Sequence, residues 1–268
     1  MGVELLHRSA RGVRATCAGE IFYAEATEIL RELDAIPERI RSIEGIVEGS
    51  VRLGITGVLG PRMTMSLVTG CREALPKVFL KLVVSDSTTL KEQVSARELD
   101  MAITFESELS PNALSRRVLF RQRLCLAVHP QLATPSRSIS LAELAKIPLV
   151  MPSKHTVVRK VLDHSLAQHG LSARIETEVD DIPSLIAAVR TGLGGAVIMA
   201  SSVADIGGED LPPPMLIEPP LFVTAAIVSS SDAPLTRAGE AVGALLPSLI
   251  KRYLQTEDLP GVDWVGVE

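Results

Sequence analysis

Residues suited to holding a small molecule outnumber, in this sequence, any set that could transform one. Thr56, Gly57 and Val58 end an apolar run, SVRLGIT, and lead into a helical one. Asp86, Ser87 and Thr88 occupy a second junction of this kind, and Thr104 follows a third apolar run. Where a strand feeds a helix, the first helical turn presents backbone N–H groups with no partner inside the helix, and a neighbouring hydroxyl adds another donor. Such a set offers non-covalent capture of a small polar or anionic group. Thr56 and Ser87 also have a competing role, because Ser and Thr at these junctions cap helices.

Catalysis finds no comparable constellation. The sequence contains no G-x-S-x-G elbow, no H-E-x-x-H and no phosphate-binding Walker loop. His164 and His169 are five apart on a predicted helix, which sets them on different faces, and they read with His155 as surface histidines rather than metal ligands. The GLGG run at 192–195 follows a helix instead of opening one, so it fits a tight turn better than a dinucleotide site. Cys17, Cys71 and Cys125 are odd in number and far apart, which supports neither a disulfide framework nor a zinc site. The expectation is a protein that is not an enzyme and that uses no cofactor and no metal.

The elements that must position these residues follow from composition and periodicity. Aromatics are only 3% of the 268 residues, so the core has to be built from Val, Leu, Ile and Ala, which suits strands buried under helices. Strands are predicted at 50–56, 78–86, 99–104 and 123–129, with helices at 61–74 and 88–96 between them. A Pro/Ser/Thr-rich stretch at 130–138 reads as a hinge. A second α/β unit follows, with helices at 141–146, 157–169 and 183–191 and strands at 148–151, 175–179 and 196–199. The run LPPPMLIEPP at 211–220 reads as an extended connector. A strand at 221–230 and a helix at 236–254 come next, and the tail from 255, with Trp264, reads as loose. Alternation of this kind predicts a largely parallel sheet and a two-lobed α/β fold with a cleft at the strand ends.

Ahead of that module lies a different pattern. Phe22, Ala26, Ile29, Leu33, Ile36, Ile40, Ile43 and Val47 recur at alternating spacings of four and three, a heptad seam over 16–48. A seam this long predicts a dimerisation helix, with packing on its own domain as the competing reading. Pro37 should kink or split it. Residues 1–15 form a short arm bearing Arg8, Arg11 and Arg14. The net charge of −5 gives no broad attraction to nucleic acid or anionic membranes, although a local basic patch is compatible with it. No signal peptide opens the chain and no apolar run reaches the roughly 18 residues of a membrane helix, so a cytoplasmic protein is expected.

Taken in order, these segments resemble the LysR family of bacterial transcriptional regulators across nearly the whole chain. Arg8, Ser9, Arg11, Gly12, Val13, Thr16, Ala18 and Gly19 carry the RS-x-RGV-x-x-T-x-AG pattern that joins the family's winged helix-turn-helix to its linker helix. GSVRLGIT resembles the opening strand of the effector domain. LKEQVSARELDMAI at 90–103 resembles the L-x-x-x-L-x-x-G-x-LD-x-AI pattern, with Val94 for the second Leu and Arg97 for the usual Gly. LAVHP at 126–130, ISLAELAKIPLVM at 139–151 and LIAAVRTGLGGAVI at 185–198 follow in family order.

The resemblance implies a periplasmic-binding-protein-like effector domain at 49–254, with lobe I at 49–128 and 230–254, lobe II at 129–229, and a flexible tail at 255–268. It implies a small-molecule effector in the cleft, with Thr56 and Ser87 as its hydroxyl anchors and the backbone N–H groups of Val58 and Thr88 as a carboxylate cradle. Thr104, Met151, Pro152 and Asp180 would line the cleft beside them, Asp180 alternatively capping a helix. Homodimers or homotetramers are implied. Arg8, Arg11 and Arg14 would touch phosphates, which position a protein without reading sequence. The chain starts at the wing, so weak operator binding is expected without a complete N-terminal domain. A solute-binding protein or an enzyme would share the two-lobed architecture, but neither has a place for the arm and heptad helix.

Overall fold

The computed structural model describes residues 2–9, 12–41, 46–107, 114–133, 136–202, 211–232, 234–257 and 259–266. The chain opens with an antiparallel hairpin of β1 (Leu6–Ser9) and β2 (Gly12–Ala15), exposed along both strands. Helix α1 (Cys17–Arg41) follows as one element of 25 residues, continuing through Pro37 without a break. It is therefore not split there, since a proline removes one helical N–H while the turns on either side keep theirs. Ile43 of the expected seam lies outside the described residues. Thr16 ties arm to helix: its hydroxyl donates to the Glu4 carbonyl (2.7 Å) and accepts from the Gly19 amide (3.0 Å). A Cβ on Gly19 would sit 1.9 Å from the Leu5 carbonyl oxygen, so the T-x-A-G spacing is a packing requirement of this corner.

The first α/β unit runs β3 (Gly49–Thr56), α2 (Gly60–Ala74), β4 (Val78–Ser85), α3 (Ser87–Ser95), β5 (Met101–Glu106) and into β6 (Ser115–Ala127). Strand β3 pairs in parallel with β4 and β5. Its Val51, Leu53 and Ile55 are fully buried, in one core with Met63 and Leu67 of α2. The last helix, α7 (Arg237–Glu257), returns to this unit and adds Val242, Leu246 and Ile250 to the same core. On the other face Leu90 and Val94 of α3 pack with Ala102. After α3 the backbone turns through Arg97 at φ 58°, the left-handed position where the family pattern has glycine; a side chain there costs about 1–2 kcal/mol.

The second unit holds β7 (Ser138–Ser140), α4 (Leu141–Leu144), β8 (Pro148–Met151), α5 (Val157–Gln168), β9 (Arg174–Glu178), α6 (Ile182–Arg190), β10 (Ala196–Met199) and β11 (Met215–Glu218). Between α6 and β10 the chain reverses through Gly192 at φ +74°, the turn that the GLGG run predicts. Strand β12 (Phe222–Ser229) then re-enters the first unit between β5 and β6.

The sheet is not largely parallel. Its main path is β4-β3-β5-β12-β6-β11-β7, and β12 and β10 run antiparallel to their neighbours because the chain crosses between units and comes back. The crossing lies inside β6, upstream of the expected hinge at 130–138. Residues 115–123 of this strand pair with β12, and residues 124–127 pair with β10. The expected connector at 211–220 contains β11, whose Met215 and Ile217 are buried between the flanking prolines. The expected loose tail contains β13 (Val262–Trp264), which pairs with Gln122, Arg121 and Phe120 of β6.

Candidate functional site

Four helix N-termini border one cavity of about 350 Å³, within the roughly 300–1,000 Å³ of small-molecule sites. Residues 56–58 precede α2 and residues 85–88 open α3, both from the first unit. Residues 155–158 open α5 and residues 180–183 open α6, from the second. Phe105, Val197 and Met199 supply apolar wall. The βα order places these ends together because each helix starts at the carboxyl end of a strand in the sheet it covers.

The cavity brings together Thr56, Gly57, Val58, Ser87, Thr88, Pro152 and Asp180 of the residues singled out by sequence. Thr56 is 3% exposed and its hydroxyl has no hydrogen-bond partner. The capping alternative therefore does not apply to it, and α2 has no side-chain cap. Ser87 is not a cap either. Its hydroxyl oxygen accepts from the Phe105 amide at 3.1 Å, tying α3 to β5. The Thr88 amide is not a free cradle, because it donates to Asp86 Oδ1 at 2.9 Å.

Thr104 and Met151 fall outside the lining. Thr104 is fully buried with an unpartnered hydroxyl, and the next residue, Phe105, faces the cavity in its place. Met151 is fully buried and its sulfur accepts from the Val197 amide; Pro152, one residue on, reaches the cavity. Successive strand residues point to opposite faces, so the Thr104 miss is a shift of one position. Arg8 and Arg14 lie exposed on the hairpin, and Arg11 lies outside the described residues.

Sequence reasoning placed Asp86 at its junction without giving it a ligand role and passed over His155 and Asp181, and all three line the cavity. Asp86 caps α3, accepting from the amides of Thr88 and Thr89 and from the Thr89 hydroxyl (2.6 Å). Asp181 caps α6 through the Ser184 amide at 2.9 Å. Asp180 accepts from the Ser153 amide at 2.8 Å and from its hydroxyl. An acid just before a predicted helix is the signal that would have found Asp86 and Asp181. Helix α5, by contrast, has no side-chain cap. No Lys or Arg among the described residues lines the cavity. Among the described residues no group of His, Cys, Asp and Glu could hold a metal ion.

All three aspartates are held in their charged form. Partial burial alone would raise the Asp86 carboxyl, but the Thr89 hydroxyl and the Thr89 and Thr88 amides bring it below the ordinary 3.8. Ser153 does the same for Asp180, which His155 lowers further and the Asp86 charge raises. Ser184 lowers Asp181. With folded-state pKa values below the unfolded ones, this stabilisation is present above the unfolded pKa and is lost as pH falls through the depressed values. The native chain is therefore expected to melt at progressively lower temperature between about pH 5 and about pH 3. Asp86→Asn keeps a cap but cannot titrate, so its acid-induced drop should be smaller; an equal drop in both chains would refute the assignment. Asp86→Ala, which removes the cap, should cost about 1 kcal/mol at neutral pH.

Comparison with known proteins bears on what this cavity serves. The family described as LysR substrate binding domain matches residues 45–251. The Nitrogen assimilation regulatory protein nac of Klebsiella aerogenes is 28% identical over 254 residues, covering 94% of this chain and 82% of that protein. A peroxide-bound OxyR mutant of Corynebacterium glutamicum superposes with a TM-score of 0.70 at 16% identity, over 96% of this chain and 83% of the other. The effector-binding domain of QuiR in complex with shikimate does so with a TM-score of 0.65 at 19% identity, over 76% and 98%. At these identities the structural likeness establishes the two-lobed, periplasmic-binding-protein-like α/β fold. The family match spans both α/β units and the cavity between them, and on that ground the chain belongs to the LysR family of transcriptional regulators and carries that family's substrate-binding domain.

Proposed function

We propose that this chain senses a small polar metabolite in the cleft between its lobes and passes the change in lobe arrangement, through α1, to a dimer or tetramer acting on DNA. The arm at 1–15, the linker at 16–48 and the effector domain at 49–254 divide the labour. Arg8, Arg11 and Arg14 supply phosphate contacts, and the protein works in the cytoplasm. Among the described residues no helix is long and apolar enough to cross a membrane. No catalytic step is proposed, since the relatives are named as regulators.

One observation carries the reading. The nearly fully buried Thr56 hydroxyl has no partner and stands at a cavity where α2 and α5 also lack side-chain caps. A buried polar group left unmade costs about 1–3 kcal/mol, a cost that a ligand acceptor would relieve. QuiR, with the same fold, is solved with shikimate, which supports a polar organic ligand. Switching requires that the ligand favour one lobe arrangement over the other.

A thermal-shift screen of the purified chain against small organic acids, amino acids and sulfur and nitrogen metabolites tests this. A binder at a hundred times its Kd should add about 2.7 kcal/mol of stability. Thr56→Val, nearly isosteric, should weaken that binder roughly tenfold or more. A binder whose affinity is unchanged in Thr56→Val would show that it sits elsewhere.

A further inference from the structure

The charges around the cavity are unequally placed. Asp86 of the first lobe and Asp180 of the second both line it and sense each other's charge, and Asp181 lies beside them, while among the described residues the lining has His155 but no Lys or Arg. Two of the four helix ends, α3 and α6, are already closed by acidic caps, and the other two, α2 and α5, are not. An anion at the Asp86–Asp180 side would add a like charge to a site that already holds several. A cation there would meet opposite charge from both lobes at once. At the start of α5, which has no side-chain cap, the preference reverses, because free N–H groups attract acceptors and anions. Ahead of α2, where Pro61 has no N–H and the Arg62 amide donates to the Leu59 carbonyl, the acceptor site is the unpartnered Thr56 hydroxyl, 3% exposed.

We propose that the effector of this cleft is an amine-bearing acid or amide of amino-acid size, its ammonium held between Asp86 and Asp180 and its acceptor end at Thr56 and the open start of α5. The proposal rests on the cleft being the effector site. It also supplies the differential affinity a switch needs. An ammonium shared by one acid from each lobe is bound best when the lobes approach, and it removes the mutual repulsion that opposes that approach. A ligand without the amine leaves the repulsion in place.

Calorimetry on the full chain tests this with the common L-amino acids, their counterparts lacking the amine (propionate for alanine, glutaramate for glutamine) and amines lacking the carboxylate. The measurements are repeated in Asp86→Asn, Asp180→Asn and Thr56→Val. Both Asn variants retain an acceptor for their capping or Ser153 bonds, and unliganded melting curves verify folding. At least one amine-bearing acid should bind, its amine-free counterpart should bind roughly tenfold or more weakly, and each Asn variant should lose roughly tenfold or more in affinity. Binding of the amine-free acids as tightly, or unchanged affinity in both Asn variants, overturns the amine. If Thr56→Val still weakens that binding, the cleft reading survives; if no variant matters, the cleft reading falls as well. Absence of binding by every amine-bearing compound at millimolar concentration also overturns the proposal.

Discussion

Phe105→Ala is expected to lower the unfolding free energy of this chain by about 3–5 kcal/mol. Phe105 is 2% exposed, and its ring meets that of Phe120 edge to face, with centroids 6.1 Å apart and planes at 87°. These are two of only five phenylalanines in the sequence. The surroundings are also stiff. Phe105 lies in β5 between β3 and β12, opposite Ala225, and its amide is fixed to Ser87. A void left there would be walled by strands that cannot move inward without breaking ladder hydrogen bonds, so the cavity penalty adds to the lost transfer energy. Urea unfolding followed by circular dichroism measures the loss. A double-mutant cycle with Phe120→Ala should return a coupling of about 0.5–1.5 kcal/mol for the ring pair. A loss below about 1 kcal/mol would mean that the wall collapses into the adjoining cavity instead of leaving a hole. Because Phe105 also borders that cavity, such a collapse would appear as weakened ligand binding.

The elements that were legible in the sequence carry their own periodicity. Strands β8 and β10 coincide with the apolar segments PLVM and AVIM, because all of these residues but Pro148 are buried. The elements that were not legible depend on partners far away in the chain. The N-terminal half of β6 is interrupted by Arg116, Arg117 and Arg121, which breaks the apolar signal. Arg116 is tolerated there because Glu106 of β5, itself flanked by Lys91, pairs with it at 3.3 Å. Strand β11 is hidden between prolines that end helices and interior strands, yet its central residues still pair with β6 and β7. Strand β13 is three residues long. What makes it a strand is its pairing with β6, together with the Gln122 side chain donating to the carbonyls of Pro260 and Gly261 and Lys251 over the Trp264 ring. None of these contacts leaves a local mark.

The site divides along the same line. Junctions between strands and helices can be read from spacing, so the helix-start positions 56–58, 87–88 and 180 reach the cavity as expected. The face a strand-end side chain takes is fixed by pairing register, and a shift of one residue reverses it. Thr104 was placed one residue early for that reason, and Met151, named beside Pro152, faces the core. The electrostatic character of the cavity was equally out of reach, because Asp86, Asp180 and Asp181 come from two segments that meet only when both lobes fold around β6.

The second large effect concerns α1. Phe22, Ile29, Leu33 and Ile36 are between 44% and 58% exposed along this helix. A stripe of that length left in water is unfavourable, and pairing with a second copy of the same stripe removes it symmetrically. Leu33→Asp takes one leucine from each copy of the seam, at about 1.5–3 kcal/mol apiece. The proposed dimer should therefore weaken by about 3–6 kcal/mol, two to four decades in Kd, while the effector domain keeps its melting temperature. Sedimentation velocity across a concentration series reads the first quantity and a melting curve the second. Substitution at Glu25 to Gln, off the seam, should change neither. Loss of the dimer without loss of the fold would place association in α1. An unchanged dimer in Leu33→Asp would move it to the effector domains, where Phe79 and Met65, each 69% exposed on β4 and α2, are the next apolar surface to cover.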